Sequence, residues 1–185
     1  SSKVPTMIRD ATVADWGDIW PIFKRIIAAG DTYCLPTTMM GGDARNLWFG
    51  GPATTVLVAI DPRRKPMVIN PESPVVGAVV GTASIHPSQD GNGYHVANAR
   101  FMIDQDYAGM GVGRQLGISA ISRARREGYR GMQFNAVVES NTAAVHLWQS
   151  LGFDIIGTVP EAFRHPRDGL VGLHDAFSRR DGLAA

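Results

Sequence analysis

Residues 104–116 read "DQDYAGMGVGRQL", with glycine at 109, 111 and 113 directly ahead of a run of helical periodicity. Glycine inside regular structure costs roughly 0.5–1 kcal/mol relative to alanine, so this spacing asks for a main chain that approaches another group closely or turns through positive φ. The first turn of a helix offers unpaired N–H groups and the positive end of the dipole, which makes an anionic ligand the leading candidate. A dinucleotide fingerprint needs glycines at i, i+2 and i+5, and Arg114 and Leu116 stand in the last place from the two available starts. The phosphate loop of NTPases is excluded too, because no Gly-Lys-Ser/Thr closes the run. A pyrophosphate held by successive backbone N–H groups still satisfies the physics, with an ordinary tight turn as the plainer alternative.

Around this loop the chain alternates strands and helices without internal repeats. "MIRDAT" reads as a first strand, and "TVADWGDIWPIFKRIIAAG" as a helix with Thr12 and Asp15 spaced as a capping box, Gly30 as its stop and a kink or break expected at Pro21. "TTMMGGDARNLWFGG" is a loop leading into or containing a short helix, and "TTVLVAI" is a β-branched strand. The proline-rich "DPRRKPMVINPESP" is assigned to a surface loop. "VVGAVVGTASIHP" and "YHVANARFMI" flank "SQDGNG", whose Asp-Gly and Asn-Gly pairs predict an antiparallel hairpin. Beyond the glycine loop come a helix ending at Gly128, the buried-looking strand "GMQFNAVV", a helix with Asn141 as N-cap and Gly152 as C′, the strand "FDIIGTVP", and a last strand in "GLVGLHDAFSRR". The pattern predicts an α/β (α+β) fold: a mixed, mostly antiparallel sheet of six or seven strands with helices on both faces.

At 185 residues the chain is expected to form a single domain over 7–180, with an N-terminal extension before it and a C-terminal tail at 181–185. A net charge of +1 gives no reason to expect nucleic acid or an anionic membrane as partner. Cys34 is the sole cysteine, which excludes a disulfide framework and a cysteine-based metal site; no metal is expected. No apolar run approaches the roughly 20 residues that span a bilayer, and the reading is a soluble cytoplasmic protein.

Asparagine is depleted in strands, yet Asn98 lies within "HVANARFMI" and Asn135 within "MQFNAVV". A buried amide without partners costs roughly 1–3 kcal/mol, so each must find neighbours or a ligand. A bulge or a bond to nearby backbone explains either residue alone. One amide on each side of the glycine loop points to a shared polar site.

"YAGMGVGRQL" followed downstream by "NTAAVHLWQSLGF" resembles the GCN5-related N-acetyltransferase superfamily, marked by an Arg/Gln-x-x-Gly-x-Gly/Ala loop, a helix, and a later Asn-x-x-Ala helix ending in Gly-Phe. With "MIRDAT" at the start, the likeness spans nearly the whole chain. "HVANARFMI", "MQFNAVVESNTAAVHLWQSLGF" and "GTVPEAFRHPRDG" are further similar to the subgroup that includes the fungal azetidine-2-carboxylate (proline-analogue) N-acetyltransferases.

The resemblance implies a sheet splayed between the strand ending near Ile103 and the strand Met132 to Val138, with acetyl-CoA as co-substrate in the gap. Backbone N–H groups of Gly109, Met110, Gly111, Val112, Gly113 and Arg114 would cradle the pyrophosphate. Phe101, Met102 and Ile103 would pair with the pantetheine arm, with an N–H near Ile103 polarising the thioester carbonyl in the manner of an oxyanion hole. Asn141 and Trp148 would line the CoA side, and Asn98 and Asn135 would position a small-molecule amine. Tyr33, in "DTYCLPTTM", is a substrate-contact candidate by position. The resemblance also brings a homodimer into consideration, which the sequence does not fix.

Two departures from the superfamily pattern stand out. Ala108 occupies the Arg/Gln position, and Trp148 stands where many relatives carry a tyrosine that protonates the leaving thiolate. Indole N–H donates a hydrogen bond but supplies no proton near neutral pH, which favours direct transfer governed by positioning. Other readings stay open beside a small-molecule N-acetyltransferase: a protein or peptide N-acetyltransferase, and a CoA-binding sensor domain with weak catalysis. His86 and His95 could act as bases or simply face solvent, Glu139 could guide a water, and Arg123, Arg125 and Arg126 could meet the 3′-phosphate of CoA.

Overall fold

β-Branched and aliphatic residues crowd the middle of the chain, and in the computed structural model, which describes residues 3–66 and 77–179, they form the centre of one sheet. Seven strands are ordered β1-β2-β3-β4-β5-β7-β6, where β1 is Met7–Asp10, β2 Thr55–Asp61, β3 Ala78–Pro87, β4 Val96–Ile103, β5 Gly131–Val138, β6 Asp154–His165 and β7 Gly169–Arg179. Every neighbouring pair is antiparallel except β4 and β5. The helices are α1 (Trp16–Ala29), α2 (Gly41–Phe49), α3 (Val112–Arg126) and α4 (Thr142–Ser150).

Two apolar cores form because successive strand residues face opposite sides. One face packs Ile19, Phe23 and Ile27 of α1 and Trp48 of α2 on Val58, Ile60 and Met102. The other packs Leu116, Ala120 and Ile121 of α3 and Trp148 of α4 on Ala83, Ala99, Met132 and Phe134. The mixed sheet with helices on both faces matches the expectation from sequence.

Local chemistry sets the helix ends. Thr12 and Asp15 form the expected capping box, around a 3-10 turn at Val13–Asp15 that leads into α1. Gly30 closes α1 in the left-handed conformation. Pro21 does not divide α1, which runs unbroken over Trp16–Ala29. A single proline removes one backbone bond, and the five buried side chains of α1, Ile19, Ile22, Phe23, Ile26 and Ile27, hold it against the sheet. The predicted hairpin between β3 and β4 is present with a longer tip than a two-residue turn: Ser88 N–H donates to the Val96 carbonyl at 2.7 Å, and a 3-10 turn fills Gly91–Gly93. Most of the proline-rich segment lies outside the described residues. Ahead of β1, Val4 is buried, and Gln115 ties the segment to α3 through Thr6 N–H at 3.1 Å and the Val4 carbonyl at 2.7 Å.

At the end of β2, Asp61 accepts hydrogen bonds from the Arg63 guanidinium at 3.1 Å, the Arg63 backbone N–H at 3.0 Å and the Tyr107 hydroxyl at 2.8 Å. Arg63 above all, then its own backbone N–H and Tyr107, hold this carboxyl at about 2. A folded-state pKa below the unfolded value of about 3.9 stabilises the native state above pH 4, and that stability fades as pH falls toward 2. Asp61→Asn is therefore expected to lower stability by about 1–3 kcal/mol at pH 7. In urea denaturation at pH 7, 4 and 2.5, the gap between variant and wild type should narrow to about a third at the lowest pH; a constant gap would mean that the ionised carboxylate is not what matters.

Candidate active site

β4 and β5 pair over three positions only, Val96 with Gly131, Ala97 with Met132 and Asn98 with Gln133. Beyond them β5 pairs with β7 alone, β4 runs on to Ile103, and a gap opens. Bonding of Asp104 N–H to the Val80 carbonyl at 2.9 Å fixes the alternation along β4, so the N–H groups of Phe101 and Ile103 point away from β3 into this gap. The splay implied by the resemblance is thus present, and it leaves an unpaired strand edge to be met by a ligand.

The glycine loop lies at one end of the gap. A 3-10 turn at Gln105–Tyr107 leads into Gly109 (φ 73°) and Gly111 (φ 84°), both in the left-handed region, and Gly111 is the N-cap of α3. The first intrahelical bond is Gln115 N–H to the Gly111 carbonyl at 3.1 Å, so the N–H groups of Val112, Gly113 and Arg114 precede the ladder. A cleft of about 350 Å³ lies beside the N-cap of α3, lined by Lys3, Gly111, Arg114 and Ile118 among others. Backbone donors, a helix N-terminus and flanking cations suit a polyanion such as a pyrophosphate. Lys3 was not found from sequence, because only the fold brings it to the loop. Arg123 is held elsewhere, by Asp10 at 2.6 Å and Glu127 at 2.9 Å. It sits with Arg125 and Arg126 in the last turn of α3, roughly 20 Å from the loop at 1.5 Å per residue.

The two asparagines meet at the floor of the gap. Asn98 is 7% exposed, and its Nδ2 donates to Asn135 Oδ1 at 3.2 Å. Asn135 is not buried as its strand suggested: past Gln133, β5 has no partner on the gap side, and Asn135 and Ala136 are exposed. Tyr33 reaches the same gap from the loop after α1. Phe101 N–H donates to its Oη at 3.1 Å, and the Tyr33 hydroxyl donates back to the Phe101 carbonyl. Burial pushes the phenol up to about 12. Phe101, reserved by the resemblance for pantetheine, therefore meets Tyr33, and the Ile103 N–H is the next one along the edge.

Trp148 is buried, its ring 4.7 Å from that of Phe101 and 4.6 Å from that of Phe134, and it closes the base of the gap as packing. Asn141 caps α4 by accepting from Ala144 N–H at 3.3 Å. Met110 and Met102 contribute to the two cores, the former partly buried. Glu139 accepts from Gly172 N–H at 3.0 Å and so ties β5 to β7. His95 and His146 are exposed. His86, opposite Asn98 in the β3–β4 register, is half-buried; its Nδ1 pairs with the Pro87 carbonyl at 2.8 Å and its Nε2 has no partner among the described residues. No cluster of metal-ligating side chains occurs among the described residues.

Comparison with known proteins agrees with this geometry. Residues 44–153 match the acetyltransferase (GNAT) family. The chain is 46% identical to a GCN5-related N-acetyltransferase from Kribbella flavida of known structure, with a TM-score of 0.84 over 94% of this chain and 97% of that one. It is 32% identical to the L-methionine sulfoximine/L-methionine sulfone acetyltransferase of Pseudomonas paraeruginosa over 83% of each chain. It is 26% identical to the N-acetyltransferase aca1 of Schizosaccharomyces pombe, over 82% of this chain and 72% of that one.

Proposed function

Because the chain belongs to the acetyltransferase (GNAT) family, we propose that it moves the acetyl group of acetyl-CoA to the amine of a small amino or imino acid, by direct transfer in a ternary complex. The observation that carries this reading is the β4–β5 gap, with N–H donors at the glycine loop and the Asn98–Asn135 amide pair at its floor. The relative that acts on L-methionine sulfoximine supports an amino-acid acceptor. In this reading Gly109 to Arg114 hold the pyrophosphate, and the Ile103 end of the β4 edge meets the pantetheine arm and thioester, the N–H and carbonyl of Phe101 being engaged by Tyr33. Asn141 and Trp148 bound the CoA side, and Tyr33, Asn98 and Asn135 bound the acceptor. A domain over 7–180, a cytoplasmic setting and a homodimer through the outer face of β6 and β7, where Ile156 and Val159 are exposed, belong to the same proposal.

Acetyl-CoA supplies an activated thioester. The protein orients the amine on the carbonyl carbon and offers the Ile103 N–H where negative charge grows on oxygen. The C–N bond forms, the C–S bond breaks, and a proton passes in net from the amine to the departing sulfur. A thiol has an unperturbed pKa of about 8.5, so it leaves without a strong acid beside it. Trp148→Phe, which removes the indole N–H and keeps an aromatic ring, is expected to change kcat by less than about tenfold. A loss of several orders of magnitude with normal acetyl-CoA affinity would show that the indole takes part in the chemistry.

The test of the function is release of free CoA, followed with a thiol reagent, over proline, azetidine-2-carboxylate, L-methionine sulfoximine, ordinary amino acids and a basic peptide. Turnover with the small acids supports the reading. Turnover with the peptide alone would favour a protein acetyltransferase, and acetyl-CoA binding without turnover would favour a sensor domain.

A further inference from the structure

Asn98, Arg100 and Met102 face the α1–α2 side of β4, and Met102 lies within the core on that side. Between Asn98 and Met102, Arg100 is half-buried, and burial draws its guanidinium below the usual arginine range. Its charge bears on both Tyr33 and His86, which places it among the groups that surround the amide pair. No carboxylate answers it among the described residues, whereas Arg9, Arg25, Arg63 and Arg123 each have one. Beside it, His86 Nε2 is covered and without a hydrogen-bond partner. With Nδ1 donating to the Pro87 carbonyl, Nε2 of the neutral ring is an acceptor lacking a donor.

Uncompensated cations and unpartnered ring nitrogens are expensive to hold out of water. Here the two shortfalls are of opposite kinds, a cation without an anion and a lone pair without an N–H, and they sit together on the acceptor side of the gap. An acidic group on the acceptor supplies the anion that the cation lacks.

We propose that Arg100 is the receptor for the acidic group of the acceptor, and that it makes the enzyme selective for amines bearing a carboxylate or similar oxyanion next to the amine. The proposal rests on the reading of the chain as an acetyltransferase of small amines and names what that reading leaves open, the feature by which the acceptor is recognised. The guanidinium pairs with the two oxygens of the acid. The amine is then directed toward Asn98, Asn135 and the thioester. The Arg100 contact acts on binding of the acceptor and leaves acetyl-CoA untouched.

Two matched sets test it: proline, prolinamide and pyrrolidine; methionine, methioninamide and 3-(methylthio)propylamine. In the wild type, kcat/KM for the acid is expected to exceed that for the amide by about 30-fold, the range of a charge-assisted contact, although the amide carries the less basic and more available amine. Arg100→Gln is expected to remove that preference through KM for the acid, with KM for acetyl-CoA unchanged, and Arg100→Lys to restore part of it. The melting temperature of Arg100→Gln is expected to stay level or rise, since no ion pair is broken. Equal turnover of acid and amide by the wild type, or a preference that survives in Arg100→Gln, would overturn the role of Arg100 while acetyl transfer stands. Transfer to none of the six amines, nor to the other acceptors tested for the function, would overturn the acetyltransferase reading and this inference with it.

Discussion

Replacing Asn98 with alanine is expected to lower kcat/KM for the amine by about two to three orders of magnitude, the range found when one preorganised polar contact is removed or a reactant is displaced by about 1 Å. Asn98 holds the last position at which β4 and β5 pair, and its side chain reaches across to Asn135 from a site that is 7% exposed. The amide is thus fixed by backbone on both sides and poised where the two strands part. Asn135→Ala should have the smaller effect, because water can take the place of an exposed amide. Asn98→Asp is the informative control: it keeps the shape and loses the two N–H donors, so it should behave like alanine if donation matters. Affinity for acetyl-CoA, measured by calorimetry, should stay within about twofold in each. A kcat/KM within fivefold of wild type for Asn98→Ala would remove the amide pair from the reaction.

The second large effect concerns Gly111. Its φ of 84° and ψ of 2° place it in the left-handed region at the N-cap of α3. A β-branched residue there is strained by about 1–3 kcal/mol and relieves the strain by rotating the backbone. Rotation at the N-cap re-aims the N–H groups of Val112, Gly113 and Arg114, which are the donors proposed for the pyrophosphate. Gly111→Val is therefore expected to weaken acetyl-CoA binding by about 100-fold. Gly128→Val is the matched control, because Gly128 is also left-handed (φ 87°) but lies at the far end of the same helix. It should reduce stability by a similar amount without altering affinity. Gly111→Val binding within threefold of wild type would mean that the loop is an ordinary turn.

The hairpin of β3 and β4, the capping box of α1 and the N-cap of α4 were legible because each depends on residues only a few positions apart, such as Thr12 with Asp15 or Asn141 with Ala144. Asn98 and Asn135 were legible for a different reason: amides are out of place in strands, and the anomaly survives without knowledge of the register. That Asn135 would be exposed was not readable, since it follows from where the pairing of β4 with β5 stops. Lys3 at the glycine loop and Tyr33 on the backbone of Phe101, 68 residues away, depend on the tertiary fold alone. Arg100 looked like any strand arginine until the absence of an answering carboxylate among the described residues came into view. Arg123 drew attention as one of a cluster of cations, yet a helix terminus and two nearby carboxylates account for it.

The short parallel seam also divides the sheet. β1 to β4 form one antiparallel block and β5, β7 and β6 another, and among the described residues the sheet ladder runs between them only through the rungs from Val96 to Asn98. The seam is thus the narrowest part of the ladder, and the rings of Phe101, Phe134 and Trp148 pack across it. A ligand lying in the gap beyond those rungs touches both blocks at once, so its binding adds to what holds them together.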